Sequence, residues 1–116
     1  VGYNDSATSQ DLFTIAPAKT VENLLNKTNE DLSNIDLFEI NEAFSMVPLV
    51  NVDILCIDHN KVNINGGAVS LGHPLGCSGA RILTTLIHSL RQNGKKNGIA
   101  AICNGGGGAS SIQIRV

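Results

Sequence analysis

Two side chains in this 116-residue sequence stand where proton transfer is done. His73 lies between Gly72 and Pro74, just ahead of a helical pattern. The proline stiffens the turn and the glycine leaves room beside the imidazole, as a general base requires. The plainer alternative is a loop histidine bonded only to nearby backbone. Cys103 ends an apolar run, and after Asn104 come four glycines, Gly105 to Gly108. Its thiol would meet a ligand in the space into which amides of the glycine turn point, a setting that suits an oxyanion. A buried structural thiol is the alternative there. Asn41 and Glu42 form a third polar spot. The amide suits holding a water or a carbonyl, or closing an Asx turn. Glu42 suits a base or an acidic first-turn residue complementing a helix dipole.

The remaining candidates read as bland. His59 lies in a polar turn and His88 on a polar helix face, so both are expected in solvent. Cys56, on an apolar helix, is expected to be buried and structural, and Cys77 to serve packing. The Gly72–Gly79 segment lacks the Gly-Lys-Ser/Thr ending of a phosphate-binding loop, and no evident helix follows the four glycines. Neither supports nucleotide binding. His73 and Cys77 have no second ligand pair at suitable spacing, which disfavours zinc.

These residues need a scaffold. Pro17 suits a first helical turn, and Ala18, Val21, Leu24 and Leu25 then give one apolar face over Pro17–Lys27. Ile35–Ile40 reads as a strand entering a turn at Asn41 and Glu42. Ser45 is placed to cap Met46–Cys56, which is apolar almost all round and is expected to be a buried helix, with Pro48 tolerated in its first turn. Val62–Asn65 reads as a second short strand. Over Ser78–Asn93, Leu83, Leu86, Ile87 and Leu90 mark a buried helix face, with Arg81, Thr85, His88 and Gln92 opposite. Ile99–Cys103 reads as a buried strand, and Ser111–Val116 as a half-buried one with Ile112, Ile114 and Val116 inward. Residues 1–16 show no clear periodicity. The alternation predicts a layered α/β domain with a mixed sheet ending in an antiparallel hairpin. Asn41, His73 and Cys103 then all lie near strand ends, where ligands bind in open α/β sheets.

Composition is compatible with that scaffold. The chain is 42% hydrophobic and 16% charged with a net charge of -2, so it lacks the basic excess of a nucleic-acid binder. There is no apolar run near membrane-spanning length and no basic start followed by an apolar stretch, so neither a membrane partner nor a targeting segment is expected within these residues. Three cysteines without a Cys-x-x-Cys pair suggest a reducing compartment. The chain begins at Val1, and it reads as a piece of a longer protein.

Taken in order, Asn41-Glu42-Ala43-Phe44, Gly72-His73-Pro74-Leu75-Gly76-Cys77-Ser78-Gly79 and Cys103-Asn104-Gly105-Gly106-Gly107 resemble the C-terminal signature of thiolases. The similarity spans nearly the whole chain. Val62–Arg81 and Ile102–Ser110 are most similar to the potassium-dependent, mitochondrial-type acetoacetyl-CoA thiolases. The resemblance implies a thiolase-like C-terminal half over residues 1–116, the N-terminal domain being absent and Val1-Gly2-Tyr3 lying inside a first strand. It implies reversible condensation of two acetyl-CoA to acetoacetyl-CoA and coenzyme A.

It also implies roles. His73 matches the histidine that activates a nucleophilic cysteine and lines a first oxyanion hole, and Asn41 the asparagine holding the water of that hole. Cys103 matches the cysteine exchanging the α-carbon proton, and Gly105 the glycine whose N–H helps form a second oxyanion hole. Phe44 is expected to wall the acyl pocket. Val69 matches the segment that gives a backbone carbonyl to potassium; no other cofactor is implied, coenzyme A thioesters being substrates. The implied partners are acyl-CoA, the N-terminal domain, and further copies in a dimer or tetramer. The implied location is mitochondrial or cytoplasmic. The nucleophile itself belongs to the N-terminal half, and none of the three cysteines here reproduces its context. Cys103 disfavours ketoacyl synthases, which carry a second histidine there, and Asn41-Glu42 disfavours the sterol-carrier type of thiolase. The reading from another class is a non-catalytic coenzyme A-binding or assembly subunit that retains the motifs.

Overall fold

The computed structural model describes all 116 residues. Four strands, β1 (Gly2–Ala7), β2 (Leu37–Ile40), β3 (Asn97–Cys103) and β4 (Gly108–Arg115), form one sheet in the order β1-β4-β3-β2. β3 is parallel to β2 and antiparallel to β4, which is antiparallel to β1, so the sheet is mixed and ends in a hairpin as expected. The helices are α1 (Ala16–Thr28), α2 (Met46–Leu55), the single turn α3 (Ala68–Leu71) and α4 (Ser78–Gln92).

Strand alternation splits the core between two faces. Phe38 and Ile40 of β2, Ile99 and Ala101 of β3 and Ala109 of β4 join Val21 and Leu24 of α1 and Val47 and Val52 of α2. On the other face Leu37 and Ala100 meet Ile82, Leu86 and Leu90 of α4. The four-residue stripe of α4 thus runs through Ile82, while Leu83 and Ile87 are only half-buried. Gly98 lets α4 approach: a Cβ there would lie 2.8 Å from a Leu86 methyl and 3.2 Å from the Leu37 carbonyl.

Several expectations are corrected. Val62–Asn65 is not a strand; only Val62 bridges Phe38, and Asn63 then turns left-handed. The Asn63 side chain continues the ladder instead, accepting from the Ile40 N–H at 2.9 Å and donating to the Ile40 carbonyl at 2.8 Å. α2 is buried on one side only, with Met46 and Leu49 each 54% exposed. Ser45 has helical backbone angles and caps nothing. Cys56 is exposed, because it is the left-handed residue ending α2, and Cys77 is exposed on the turn before α4. Arg81 does not face solvent but reaches the buried Glu39 at 3.6 Å. In β4 the inward residues are Ser111 and Gln113, whereas Ile112 and Val116 are exposed. Hydrogen bonds hold them there: Ser111 Oγ donates to the Thr20 carbonyl at 3.1 Å, and Gln113 Nε2 to Asn97 Oδ1 at 3.0 Å, although Gln113 Oε1 has no partner within the chain. The strand β1 and the 3-10 segment Gln10–Ile15 occupy the stretch without periodicity.

Candidate active site

Because β2 and β3 are parallel, both open at the same edge of the sheet. Asn41 sits one residue past β2, its N–H donating to the Ala101 carbonyl at 2.9 Å, and it is fully buried. Cys103 is the last residue of β3, 7% exposed. His73 reaches the same place from the loop between α3 and α4. Its Nε2 lies 3.4 Å from Asn41 Nδ2 and its Nδ1 2.5 Å from Ser78 Oγ. Ser78, buried at the start of α4, also donates to the Pro74 carbonyl at 3.1 Å. The imidazole is therefore held from both sides.

A cavity of about 750 Å³ opens here, lined by His73, Cys103, Asn104, Gly105, Phe44 and Leu75. Phe13, from the 3-10 segment, adds a second ring, with its centroid 6.0 Å from that of Phe44 at an interplanar angle of 65°. Burial pushes the Cys103 thiol pKa up, so at neutral pH the sulfur rests protonated. That is the state of a general acid.

The glycine turn is organised by Asn104. Its Oδ1 accepts from the N–H of Gly106 at 3.0 Å and of Gly108 at 3.3 Å. A Cβ on Gly108 would lie 2.6 Å from Asn104 Nδ2, and Gly107, at φ +89°, packs its α-carbon against the Thr8 carbonyl. With those amides occupied, the Gly105 N–H donates to nothing within the chain, and Gly105 lines the cavity. A free amide beside a thiol is what an enolate oxygen would use.

Glu42 proves to be an anchor for the neighbouring loop. Its carboxylate accepts from the Val69 N–H at 2.8 Å and from Asn63 Nδ2 at 3.1 Å. Glycine at Gly67 leaves this carboxylate its place, since a Cβ would come 2.5 Å from the Glu42 carboxyl carbon and push the side chain aside. Val69 is 69% exposed, and no backbone amide donates to its carbonyl, which fits a single backbone ligand for a cation. His59 and His88 are both exposed and away from the cavity.

Phe13, Leu75, Ser78 and Asn104 escaped the sequence reading. Phe13 lies in a stretch without periodicity, and Leu75 is an exposed loop residue. Ser78 and Asn104 did carry a signal, each being a polar residue inside a glycine-rich segment, Asn104 directly after Cys103 and Ser78 five residues after His73.

Comparison with known proteins agrees over the whole chain. The family model described as the thiolase C-terminal domain matches residues 1–116. An acetyl-CoA acetyltransferase of Saccharomyces cerevisiae is 56% identical over 114 residues, covering 97% of this chain and 29% of the relative. A probable acetyl-CoA acetyltransferase of Dictyostelium discoideum is 52% identical, with 98% and 28% covered. Among solved structures, the Bacillus anthracis acetyl-CoA acetyltransferase superposes with a TM-score of 0.96 at 43% identity, covering 99% of this chain and 29% of that one. An Ascaris suum thiolase in complex with coenzyme A gives 0.94 at 49% identity, with 99% and 30% covered. The chain thus spans under a third of the length of these relatives.

Proposed function

The chain belongs to the thiolase family as its C-terminal domain, and on that premise we propose that the whole protein is an acetyl-CoA C-acetyltransferase. It reversibly condenses two acetyl-CoA into acetoacetyl-CoA and coenzyme A. The observation that carries this reading is the convergence of His73, Cys103 and the unpartnered Gly105 N–H on one cavity.

The chemistry follows from that placement. An acyl carrier thiol, supplied by the part of the protein that precedes this domain, gives its proton to His73 Nε2 and adds to the acyl carbonyl. In condensation coenzyme A leaves acetyl-CoA with that proton, in cleavage the acetyl-CoA carbanion leaves acetoacetyl-CoA, and the thiol keeps the acetyl group. Asn41, beside that nitrogen, suits holding a water on the thioester oxygen. In cleavage the C–C bond breaks toward the leaving acetyl-CoA, and Cys103 protonates the resulting α-carbon. In condensation Cys103, as its thiolate, removes that proton, and the negative charge is shared with the thioester oxygen and stabilised by the Gly105 N–H. The carbanion takes the acetyl group from the carrier, whose released thiolate recovers the proton. Phe44 and Phe13 wall the acyl end.

Short acyl chains are favoured because relatives named acetyl-CoA acetyltransferase reach 56% identity, against 40% for a human mitochondrial 3-ketoacyl-CoA thiolase. The setting we infer is lipid metabolism in mitochondria or cytoplasm, in a homodimer or homotetramer. Potassium, held partly by the Val69 carbonyl, would order the loop that Glu42 anchors. The test is thiolysis of acetoacetyl-CoA by the whole protein, with potassium compared against sodium. No turnover, or a whole sequence without an upstream acyl-accepting cysteine, overturns the acetyltransferase reading in favour of a non-catalytic coenzyme A-binding subunit. Equal rates in both salts overturn the potassium site.

A further inference from the structure

We propose that Ser78 is a positioning residue that fixes the tautomer of His73, keeping the proton on Nδ1 and leaving Nε2 as the unprotonated nitrogen. This rests on the catalytic reading of His73, and it goes beyond that reading by assigning a residue outside the acid/base set.

The argument is a count of hydrogens. Ser78 Oγ has one proton and two neighbours, His73 Nδ1 at 2.5 Å and the Pro74 carbonyl at 3.1 Å. Asn41 Nδ2 faces the other ring nitrogen at 3.4 Å. In one arrangement the hydroxyl donates to Pro74, Nδ1–H donates to the hydroxyl, and the Asn41 amide donates to Nε2. Asn41 Oδ1 and one of the two Nδ2 hydrogens are then left without a partner within the chain. In the reverse arrangement the hydroxyl donates to Nδ1, Nε2–H faces Asn41, and the amide must flip to accept. Its NH₂ then occupies the place of that orphaned oxygen, with both hydrogens stranded in a fully buried residue. Stranded donors are rarer and worse tolerated than an under-used carbonyl. The first arrangement therefore holds.

Its consequence is functional. A neutral imidazole must offer an unprotonated nitrogen to the incoming thiol. With Nδ1 turned to the buried Ser78, that nitrogen has to be Nε2, and the long 3.4 Å contact from the Asn41 amide is the one the thiol displaces. Once Nε2 has taken the proton, Nδ1–H remains bonded to Ser78, so the ring need not turn during the step. Ser78 is itself immovable, being buried in the first turn of α4 and tied back to Pro74.

The experiment uses the whole enzyme labelled with ¹⁵N-histidine. In the unaltered protein the neutral His73 ring should show Nδ1 as the protonated and Nε2 as the unprotonated nitrogen. The opposite pattern overturns the proposal without any variant. Ser78→Ala should then lower kcat for acetoacetyl-CoA thiolysis about tenfold or more with KM nearly unchanged, and mix the two ring tautomers. A folded Ser78→Ala enzyme with parental kcat or an unmixed ring overturns it. If that variant does not fold, the ring pattern of the unaltered enzyme still decides. Absence of thiolysis by the unaltered enzyme sinks the acetyltransferase reading instead, and leaves the ring measurement standing.

Discussion

On the proposed mechanism Cys103 and His73 act at different moments, so their removal should leave different enzymes. In the whole protein, Cys103→Ala should cut thiolysis of acetoacetyl-CoA by roughly 10²–10⁴ while leaving acetylation of the nucleophile partly intact. His73→Ala should impair acetylation itself by a similar factor. Trapping the acetyl-enzyme and following turnover separates the two; near-normal turnover by Cys103→Ala would remove it from the mechanism. Both residues stood out in the sequence because glycine and proline flank the histidine and a run of glycines follows the cysteine, and the structure brings both to one cavity. Asn104 was not legible in this way, since its role depends on a loop that folds back onto its own side chain. Asn104→Ala should free the Gly106 and Gly108 amides and loosen the loop. The expected outcome is a fall in kcat of about tenfold with little change in melting temperature, because the residue is exposed.

Between elements, the buried Glu39 of β2 and Arg81 of α4 tie together the strand that places Asn41 and the helix that places Ser78. Burial raises the Glu39 pKa to about 7, although Arg81 opposes the shift. The folded state therefore binds this proton more tightly than the unfolded chain, and the group favours folding most below its ordinary value near 4.5. That contribution, roughly 3 kcal/mol at most, is lost as pH rises to about 7. Melting temperatures between pH 4.5 and 7 should fall less steeply for Glu39→Gln than for the parent, and parallel slopes would exclude this account. Sequence periodicity located α1 and α4 well because each lays one stripe on a sheet. It misjudged α2, whose apolar residues surround the helix although the domain covers only one side, and Val62–Asn65, where a side chain replaces a strand. No spacing rule reveals a pair such as Glu39 and Arg81, which meet only when α4 lies across β2.

At the scale of the whole molecule the site is open. Tyr3 is 64% exposed and Ile112 36% on the sheet face that α4 leaves bare, and Leu75 is 82% exposed beside the cavity. The chain alone should therefore show no thiolysis of acetoacetyl-CoA, since His73 and Cys103 would have no covalent acyl group to act upon. Joined to the preceding part of the protein it should regain activity, and robust turnover by the chain alone would contradict the assignment. The parallel register of β2 on β3 has a further consequence, for how genes of this family can change length. Asp36 accepts from the N–H groups of Lys96 and Asn97, both at 3.0 Å, and Asn41 from the far end donates to Ala101, so the pairing is pinned at each end. Losing or gaining a single codon between those pins would turn Asn41 to the opposite face of the sheet. The same codon change in the exposed turn at Gly94–Lys95 alters no pairing. Length variation among descendants of this sequence should therefore accumulate in such turns and be purged from the stretch between Asp36 and Asn41.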